Sequence, residues 1–284
     1  MRRKILLPTD FSKNAYHAIQ YAQQLYKNDH CDFYLLNVFS ATSNIFDSLL
    51  NMEPGSELYE TAKLHSENGL AKVYDMITMS EFDNPKHRFE TISMFNNTIE
   101  AIKLVVEKKD IELIIMGTKG ETDADESFFG SVAVYVMEKV RNCPVIVVPA
   151  KAKKSLPKEI VFPTSYKTHY KRRELSYLTD IAKKCNARIA VLHISKDDKL
   201  DSEQKENQDL LKEILDEVEY SFHFISGTLV EPSINIFVES RDSDMVAFIN
   251  KKHMFFGSLL TKPLVKGIAF HSKVPILVMH DLRN

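Results

Sequence analysis

The first half of the chain alternates short, continuously apolar segments with segments whose apolar residues recur at helical spacing. The apolar runs are, in order, Lys4–Leu7, Phe33–Val38, Arg88–Ile92, Leu113–Met116 and Val145–Val148. Such runs are typical of strands that are buried on both faces of a sheet. Helical spacing follows Ser12, a suitable helix N-cap, and recurs over residues 97–110 and 131–142. Strands that alternate with helices predict βαβ units and a parallel sheet.

The second half of the chain repeats this pattern in the same order. Five pairs of segments correspond: Lys4–Ser12 with Glu159–Lys167, Tyr34–Ser40 with Ala190–Lys196, His87–Met94 with Tyr220–Gly227, Asp110–Gly117 with Asp242–Asn250, and Cys143–Ala150 with Val274–Asp281. A lysine-rich, apolar-poor segment, Lys151–Lys158, separates the two copies. We therefore expect two α/β domains, residues 1–150 and 151–284, each built on a five-stranded sheet.

Composition and charge narrow the class of protein. The 284 residues are 44% hydrophobic and 27% charged, with a net charge of −2, so we expect a globular protein without a broad basic face for nucleic acid. No run of 18 apolar residues predicts a membrane span, and the N-terminal apolar run ends at Pro8, too early for a signal peptide. The three cysteines form no CxxC pair, which favours a reducing compartment. These features predict a cytoplasmic protein with neither nucleic-acid nor membrane partners.

Glycine is scarce but clustered. Three of the chain's 8 glycines lie between Met116 and Ser131, where Gly117 follows the fourth predicted strand and Gly130 precedes the last helix. Ligands of open parallel sheets bind beyond the carboxyl ends of the strands, and a glycine there lets the backbone approach a ligand closely. A helix N-terminus presents unpaired N–H groups that suit a phosphate. The cluster thus predicts an anion site, with glycines that only serve turns as the alternative.

The spacing G-x2-G-x9-G-S, formed by Gly117, Gly120, Gly130 and Ser131, resembles the nucleotide-binding signature of the universal stress protein family. The segments "PTDFS" after the first strand and "CPVIVVP" in the last strand are also similar to that family. The resemblance covers both copies. It implies two tandem Rossmann-like sandwiches, each a five-stranded parallel sheet of order 3-2-1-4-5 with two helices on each face. It also implies antiparallel pairing of the last strands, here within one chain as an intramolecular pseudo-dimer; further homodimerisation stays open.

The resemblance further implies a site for ATP or another adenine nucleotide, made of ten residues: Pro8, Thr9, Asp10, Val38, Met116, Gly117, Gly120, Gly130, Ser131 and Val132. The residues that follow the first strand would lie against the adenosine, Val38 would line the adenine pocket, and the three residues from Gly130 onward would hold the phosphates. Two alternatives are purely structural. Asp10 can form an Asx turn or cap a helix, and Val38 and Met116 can be ordinary core residues.

The segment from Glu121 to Ser127 carries four carboxylates, which would repel a nucleotide's phosphates. It is either a solvated loop or part of a site in which Mg²⁺ bridges the phosphates to Asp10 or to the loop. Phe128 and Phe129 predict a hydrophobic staple onto the last helix, with a lid over the site as the alternative. No lysine stands in a Walker arrangement.

The second copy departs from the family's pattern. Sequence similarity places Ser165 opposite Asp10, Asn250 opposite Gly117, and Lys252 or His253 opposite Gly120. The phosphate-binding position falls either on Gly257-Ser258 or on Thr261–Pro263, depending on the direction of counting. We expect a degenerate site that binds no ATP and a second copy that packs against the first.

Three functions are consistent with these patterns. The first is a cytosolic stress-response protein that binds an adenine nucleotide in its N-terminal copy. The second is an enzyme, either a slow ATPase or a nucleotidyl-transfer protein, although the sequence offers neither a nucleophile–base pair nor an arginine finger beside the glycines. The third is an interaction scaffold that binds no nucleotide.

Overall fold

The computed structural model describes residues 2–39, 54–118, 130–153, 155–197, 199–227, 229–250 and 272–280. The strands of the first half are β1 (Arg3–Pro8), β2 (Cys31–Phe39), β3 (His87–Phe95), β4 (Leu113–Gly117) and β5 (Val145–Val148). Its described helices are α1 (Lys13–Leu25), α2 (Glu57–Thr78), α3 (Thr98–Lys109) and α4 (Ser131–Lys139).

The second half repeats this order of elements. Its strands are β6 (Glu159–Thr164), β7 (Arg188–Ser195), β8 (Tyr220–Ser226), β9 (Met245–Asn250) and β10 (Ile276–His280). Its described helices are α5 (Arg172–Cys185), α6 (Ser202–Leu215) and α7 (Val230–Arg241). Within the described part of the chain, no helix has the length and apolar character needed to cross a bilayer.

All ten strands form one sheet, in the order β3-β2-β1-β4-β5-β10-β9-β6-β7-β8. Each half contributes five parallel strands in the order 3-2-1-4-5, as predicted. The halves meet where β5 and β10 pair antiparallel, with Val147 opposite Ile276 and Val145 opposite Val278. The predicted pairing of the two last strands within one chain is therefore confirmed.

Two apolar cores lie on opposite faces of the sheet, and each contains residues from both halves. One core joins α1, α2, α5 and α6 to the sheet, and the other joins α3, α4 and α7. In β1, Ile5 and Leu7 face the first core and Leu6 faces the second; all three are fully buried. Burial on both faces explains why the inner strands are continuously apolar, whereas the edge strands β3 and β8 are partly exposed and mix polar with apolar residues.

The amino ends of the strands carry a second contact between the halves. Arg3 Nη2 lies 2.9 Å from Asp180 Oδ1, and Lys184 Nζ lies 2.6 Å from Asp29 Oδ2, so each ion pair joins the first half to the second. The ring of Tyr26 is completely buried, with the Arg3 guanidinium 5.6 Å and the Lys184 ammonium 5.2 Å from its centroid. This cluster complements the β5–β10 pairing, because it joins helix α5 to the first half through charged side chains.

Candidate functional site

A cavity of about 270 Å³ opens at the carboxyl ends of β1 and β4. These strands are neighbours in the sheet, but the chain leaves them in opposite directions, toward β2 and β5. This is the switch point at which ligands of open α/β sheets bind. The volume lies close to the lower end of the range for small-molecule sites, ~300–1,000 Å³.

Nine of the ten predicted site residues line this one cavity: Pro8, Thr9, Asp10, Val38, Met116, Gly117, Gly130, Ser131 and Val132. The tenth, Gly120, lies outside the described residues. The lining also includes six residues that the sequence did not single out: Ala15, Leu36, Asn37, Thr98, Thr118 and Ala133. These nine residues come from four different segments of the chain, and the fold brings them to one place.

The turn after β1 is fixed by local hydrogen bonds. The Thr9 amide donates to the Leu36 carbonyl (2.8 Å), and the Thr9 hydroxyl oxygen accepts from the Phe11 amide (3.1 Å). Asp10 Oδ1 accepts from the Ser12 amide at 3.1 Å, which is the Asx turn considered as an alternative. Because Asp10 is also exposed and lines the cavity, its structural role does not prevent it from facing the cavity.

Asn37 fixes the same turn from the side. This buried residue of β2 donates from Nδ2 to the Thr9 carbonyl at 2.7 Å. A polar residue near the end of an otherwise apolar run was the available sequence signal, because a buried polar side chain needs a partner. Asn37 thereby orients the backbone that carries Thr9 and Asp10.

Gly117 is required by the packing of α1 against β4. A Cβ atom at this position would lie 2.9 Å from Asn14 Oδ1 and 3.1 Å from the Asn14 backbone carbonyl carbon. Asn14 Oδ1 accepts from the Thr118 amide (2.8 Å) and the Thr118 hydroxyl (3.0 Å), while its Nδ2 donates to the Val148 carbonyl (3.1 Å). The missing side chain of Gly117 therefore makes room for a buried asparagine, in addition to any clearance it gives a ligand.

Helix α4 begins at the cavity. The Gly130 amide donates to the Thr118 carbonyl at 2.7 Å, which brings the start of the helix to the end of β4. Gly130 is the N-cap and has no side chain to satisfy the first amides, while Ser131 and Val132 are exposed. The unpaired N–H groups of this first turn make a site that favours an anion.

The base of the cavity is apolar. Met116 is buried and belongs to the core that contains α3 and α4, and half-buried Val38 packs against that core. Both residues are thus core residues as well as cavity-lining residues. An apolar base with an amide-rich rim can hold an aromatic ring at one end and an anion at the other.

In the described part of the chain, no three His, Cys, Asp or Glu side chains come together in a group that could hold a metal ion. The acidic segment from Glu121 to Ser127 and the predicted staple residues Phe128 and Phe129 lie outside the described residues. The Mg²⁺ site that involves this segment stays a prediction.

The second half repeats the turn but not its chemistry. The Tyr166 amide donates to the Thr164 hydroxyl oxygen (3.1 Å) and the Lys167 amide donates to the Ser165 hydroxyl oxygen (3.4 Å), which matches the pattern around Asp10. Buried His193 takes the place of Asn37, since its Nδ1 lies 2.9 Å from the Thr164 carbonyl oxygen. Burial lowers the pKa of His193 below its ordinary value of 6.5.

The sheet register corrects one predicted correspondence. Ile5 pairs with Leu113 in the first half, and the equivalent Ile160 pairs with Met245 in the second. Counting four residues along each strand places Ile249, not Asn250, at the position of Gly117, so the predicted match was wrong by one residue. The second half therefore carries a branched side chain where the first has glycine. The candidate phosphate positions Gly257-Ser258 and Thr261–Pro263, like Lys252 and His253, lie outside the described residues.

Comparisons with known proteins agree with this architecture. The model of the universal stress protein family matches residues 1–149. Universal stress protein MJ0577 of Methanocaldococcus jannaschii is 28% identical over 162 residues, which span 53% of this chain and 97% of that protein. Universal stress protein MJ0531 of the same organism is 30% identical over 148 residues, 51% of this chain and 81% of that protein.

A solved structure extends the likeness to both halves. The crystal structure of a universal stress protein from Archaeoglobus fulgidus superposes with a TM-score of 0.70 at 20% identity, covering 97% of this chain and 95% of that one. This similarity concerns the fold. The match of the family model over residues 1–149, more than half of the chain, shows that the chain belongs to the universal stress protein family.

Proposed function

We propose that the first half of this protein binds ATP or a related adenine nucleotide in the cavity at the ends of β1 and β4. The observation that carries the proposal is that nine of the ten residues implied by the family resemblance line one cavity at the switch point of the sheet. An adenosine would lie against the apolar base near Val38 and Met116. The phosphates would lie at the start of α4, where amide groups and the Ser131 hydroxyl are available.

The proposal assigns different roles to the two halves. Residues 1–150 form the nucleotide-binding domain, and residues 151–284 form a domain without an adenine-nucleotide site, because Ile249 replaces Gly117. The protein acts as a cytosolic stress-response protein in which the nucleotide is a bound ligand. A Mg²⁺ ion that bridges the phosphates to the exposed Asp10 carboxylate would offset the charge of ATP, since carboxylate and phosphate oxygens are the ligands that Mg²⁺ prefers.

Native mass spectrometry of the purified protein tests the proposal directly. We expect an added mass equal to one adenine nucleotide per chain, or, for ligand-free protein, a 1:1 isotherm when ATP is titrated by calorimetry. Titrations with ADP, AMP and adenosine rank the phosphate contribution, and parallel titrations with and without Mg²⁺ measure the contribution of the ion. The absence of both a copurified adenine nucleotide and a binding isotherm would refute the proposal and favour the interaction scaffold.

A further inference from the structure

The second half of the chain contacts the helix that lines the first half's cavity. Asn250, the last residue of β9, donates from Nδ2 to the Met137 carbonyl of α4 at 3.2 Å. Arg141, two residues beyond α4, donates from Nη1 to the Asn250 carbonyl at 3.4 Å. We call these two reciprocal hydrogen bonds the Asn250 bridge.

The Asn250 bridge supplies a hydrogen-bond donor to a carbonyl at the C-terminal end of α4. The last four carbonyls of an α-helix have no partner within it, and the Met137 carbonyl belongs to this group because α4 ends at Lys139. The Val140 amide bonds to the Val136 carbonyl, which leaves the neighbouring Met137 carbonyl to the Asn250 amide. A side-chain N–H donor is what this position requires, and an apolar residue at 250 would supply none.

The sheet register shows that the bridge has a counterpart in the first half of the chain. The strand pairing makes Asn250, the last residue of β9, the equivalent of Thr118, which follows β4 in the first half. Thr118 accepts from the Gly130 amide and so holds the N-terminal end of α4, whereas Asn250 holds its C-terminal end. Equivalent strand ends of the two halves therefore hold opposite ends of the same helix.

We propose that Asn250 is a positioning residue for the nucleotide site of the other half, an inference that rests on the proposed function. Six residues separate Ser131 from Met137, or about 9 Å of helix, and a helix this short moves as one body. A shift at Met137 is thus transmitted to the amides at the cavity. The degenerate half completes the site of the intact half without contacting the nucleotide.

Calorimetric titration of ATP into wild type, Asn250→Ala and Asn207→Ala tests the proposal. Asn207 is the matched control, because its Nδ2 also donates to a carbonyl, that of Tyr166, at 2.8 Å, but within the second half alone. We expect Asn250→Ala to raise the Kd for ATP about three- to tenfold, the equivalent of one hydrogen bond. Asn207→Ala should lower thermal stability while changing the Kd by less than about twofold. Equal Kd values for the two variants would overturn the proposal.

Hydrogen–deuterium exchange without nucleotide separates this inference from the proposed function. We expect faster exchange of the α4 amides, residues 131–139, in Asn250→Ala than in Asn207→Ala, whether or not ATP binds. If wild type fails to bind ATP, the proposed function fails and a positioning role of Asn250 for a nucleotide falls with it. If ATP binds but α4 exchanges equally in both variants, the proposed function stands and the positioning role is refuted.

Discussion

Replacing Asn14 with alanine should destabilise the protein more than any change at an exposed polar residue. The side chain is buried and makes hydrogen bonds to the Thr118 amide, the Thr118 hydroxyl and the Val148 carbonyl, at 2.8, 3.0 and 3.1 Å. Alanine would leave all three groups without this partner. The two backbone groups cannot turn toward water, whereas the hydroxyl can rotate.

The magnitude follows from the two backbone groups. A buried donor or acceptor that loses its partner costs about 1–3 kcal/mol, so Asn14→Ala should lower the free energy of unfolding by about 2–6 kcal/mol. Asn207→Ala is the control, because that asparagine is equally buried but makes one bond, to the Tyr166 carbonyl. Its expected cost is about 1–3 kcal/mol, or half as much.

Urea unfolding followed by far-ultraviolet circular dichroism measures both values. The chain contains no tryptophan, so this signal is preferable to intrinsic fluorescence. A lower midpoint at unchanged slope would report a change in stability rather than in the unfolded state. If Asn14→Ala costs no more than Asn207→Ala, the idea that this asparagine ties α1 to the ends of β4 and β5 is wrong.

Three further predictions address the ligand, the pH dependence and the contact between the halves. Ser131→Glu should weaken ATP binding about fivefold or more in calorimetry, since like charges ~4 Å apart repel by about 1 kcal/mol even in water, but it should leave adenosine binding unchanged. Ser202→Glu, at the exposed first position of α6, should change neither affinity. An equal loss for ATP and adenosine in Ser131→Glu would contradict the placement of the phosphates. Because burial lowers the pKa of His193 in the folded protein, this histidine is protonated in the unfolded chain first as the pH falls, so the free energy of unfolding should decline below about pH 6.5. His193→Asn, which introduces the residue found at this position in the first half, should show a smaller decline between pH 7 and pH 5. Identical pH profiles of stability for wild type and variant would exclude His193 as a cause of the decline. Lys184→Ala should cost about 1–2 kcal/mol in urea unfolding, because it removes a largely buried ion pair and a cation–π contact between the halves. Lys103→Ala, which removes an exposed pair with Glu100 within α3, should cost less than about 0.5 kcal/mol. Similar losses for the two variants would show that the contact between the halves adds no stability.

The fold could be predicted from sequence because both faces of the sheet are covered by helices. Double burial makes the inner strands continuously apolar, and such runs are visible without any structural information. The predicted run Val145–Val148 agrees with β5 residue for residue, whereas Phe33–Val38 was too short, since β2 begins at Cys31 and ends at Phe39. Strand ends carry fewer apolar residues than strand centres, so their limits are less evident in the sequence.

The details of the site could not be predicted in the same way. Asn14 gives no signal in the sequence, because a polar residue in the first turn of a helix is ordinary and its partners come from β4 and β5. The match of Gly117 to Asn250 was wrong because it paired the last residues of two segments that differ in length by one residue, Asp110–Gly117 and Asp242–Asn250. The correct equivalence to Ile249 depends on the pairing of β6 with β9. A register is a property of two paired segments, and the composition of either one alone does not reveal it.

The antiparallel pairing of β5 with β10 within a single chain removes a constraint that acts on homodimers. In a two-fold symmetric dimer every substitution occurs twice, so a change that abolishes one binding site abolishes the other as well. Covalent linkage of the halves ends this duplication, and each copy can then change on its own. One copy can retain a glycine beside the cavity while its neighbour acquires an isoleucine at the same place, and the molecule becomes an asymmetric pair with a fixed one-to-one ratio of its unlike parts.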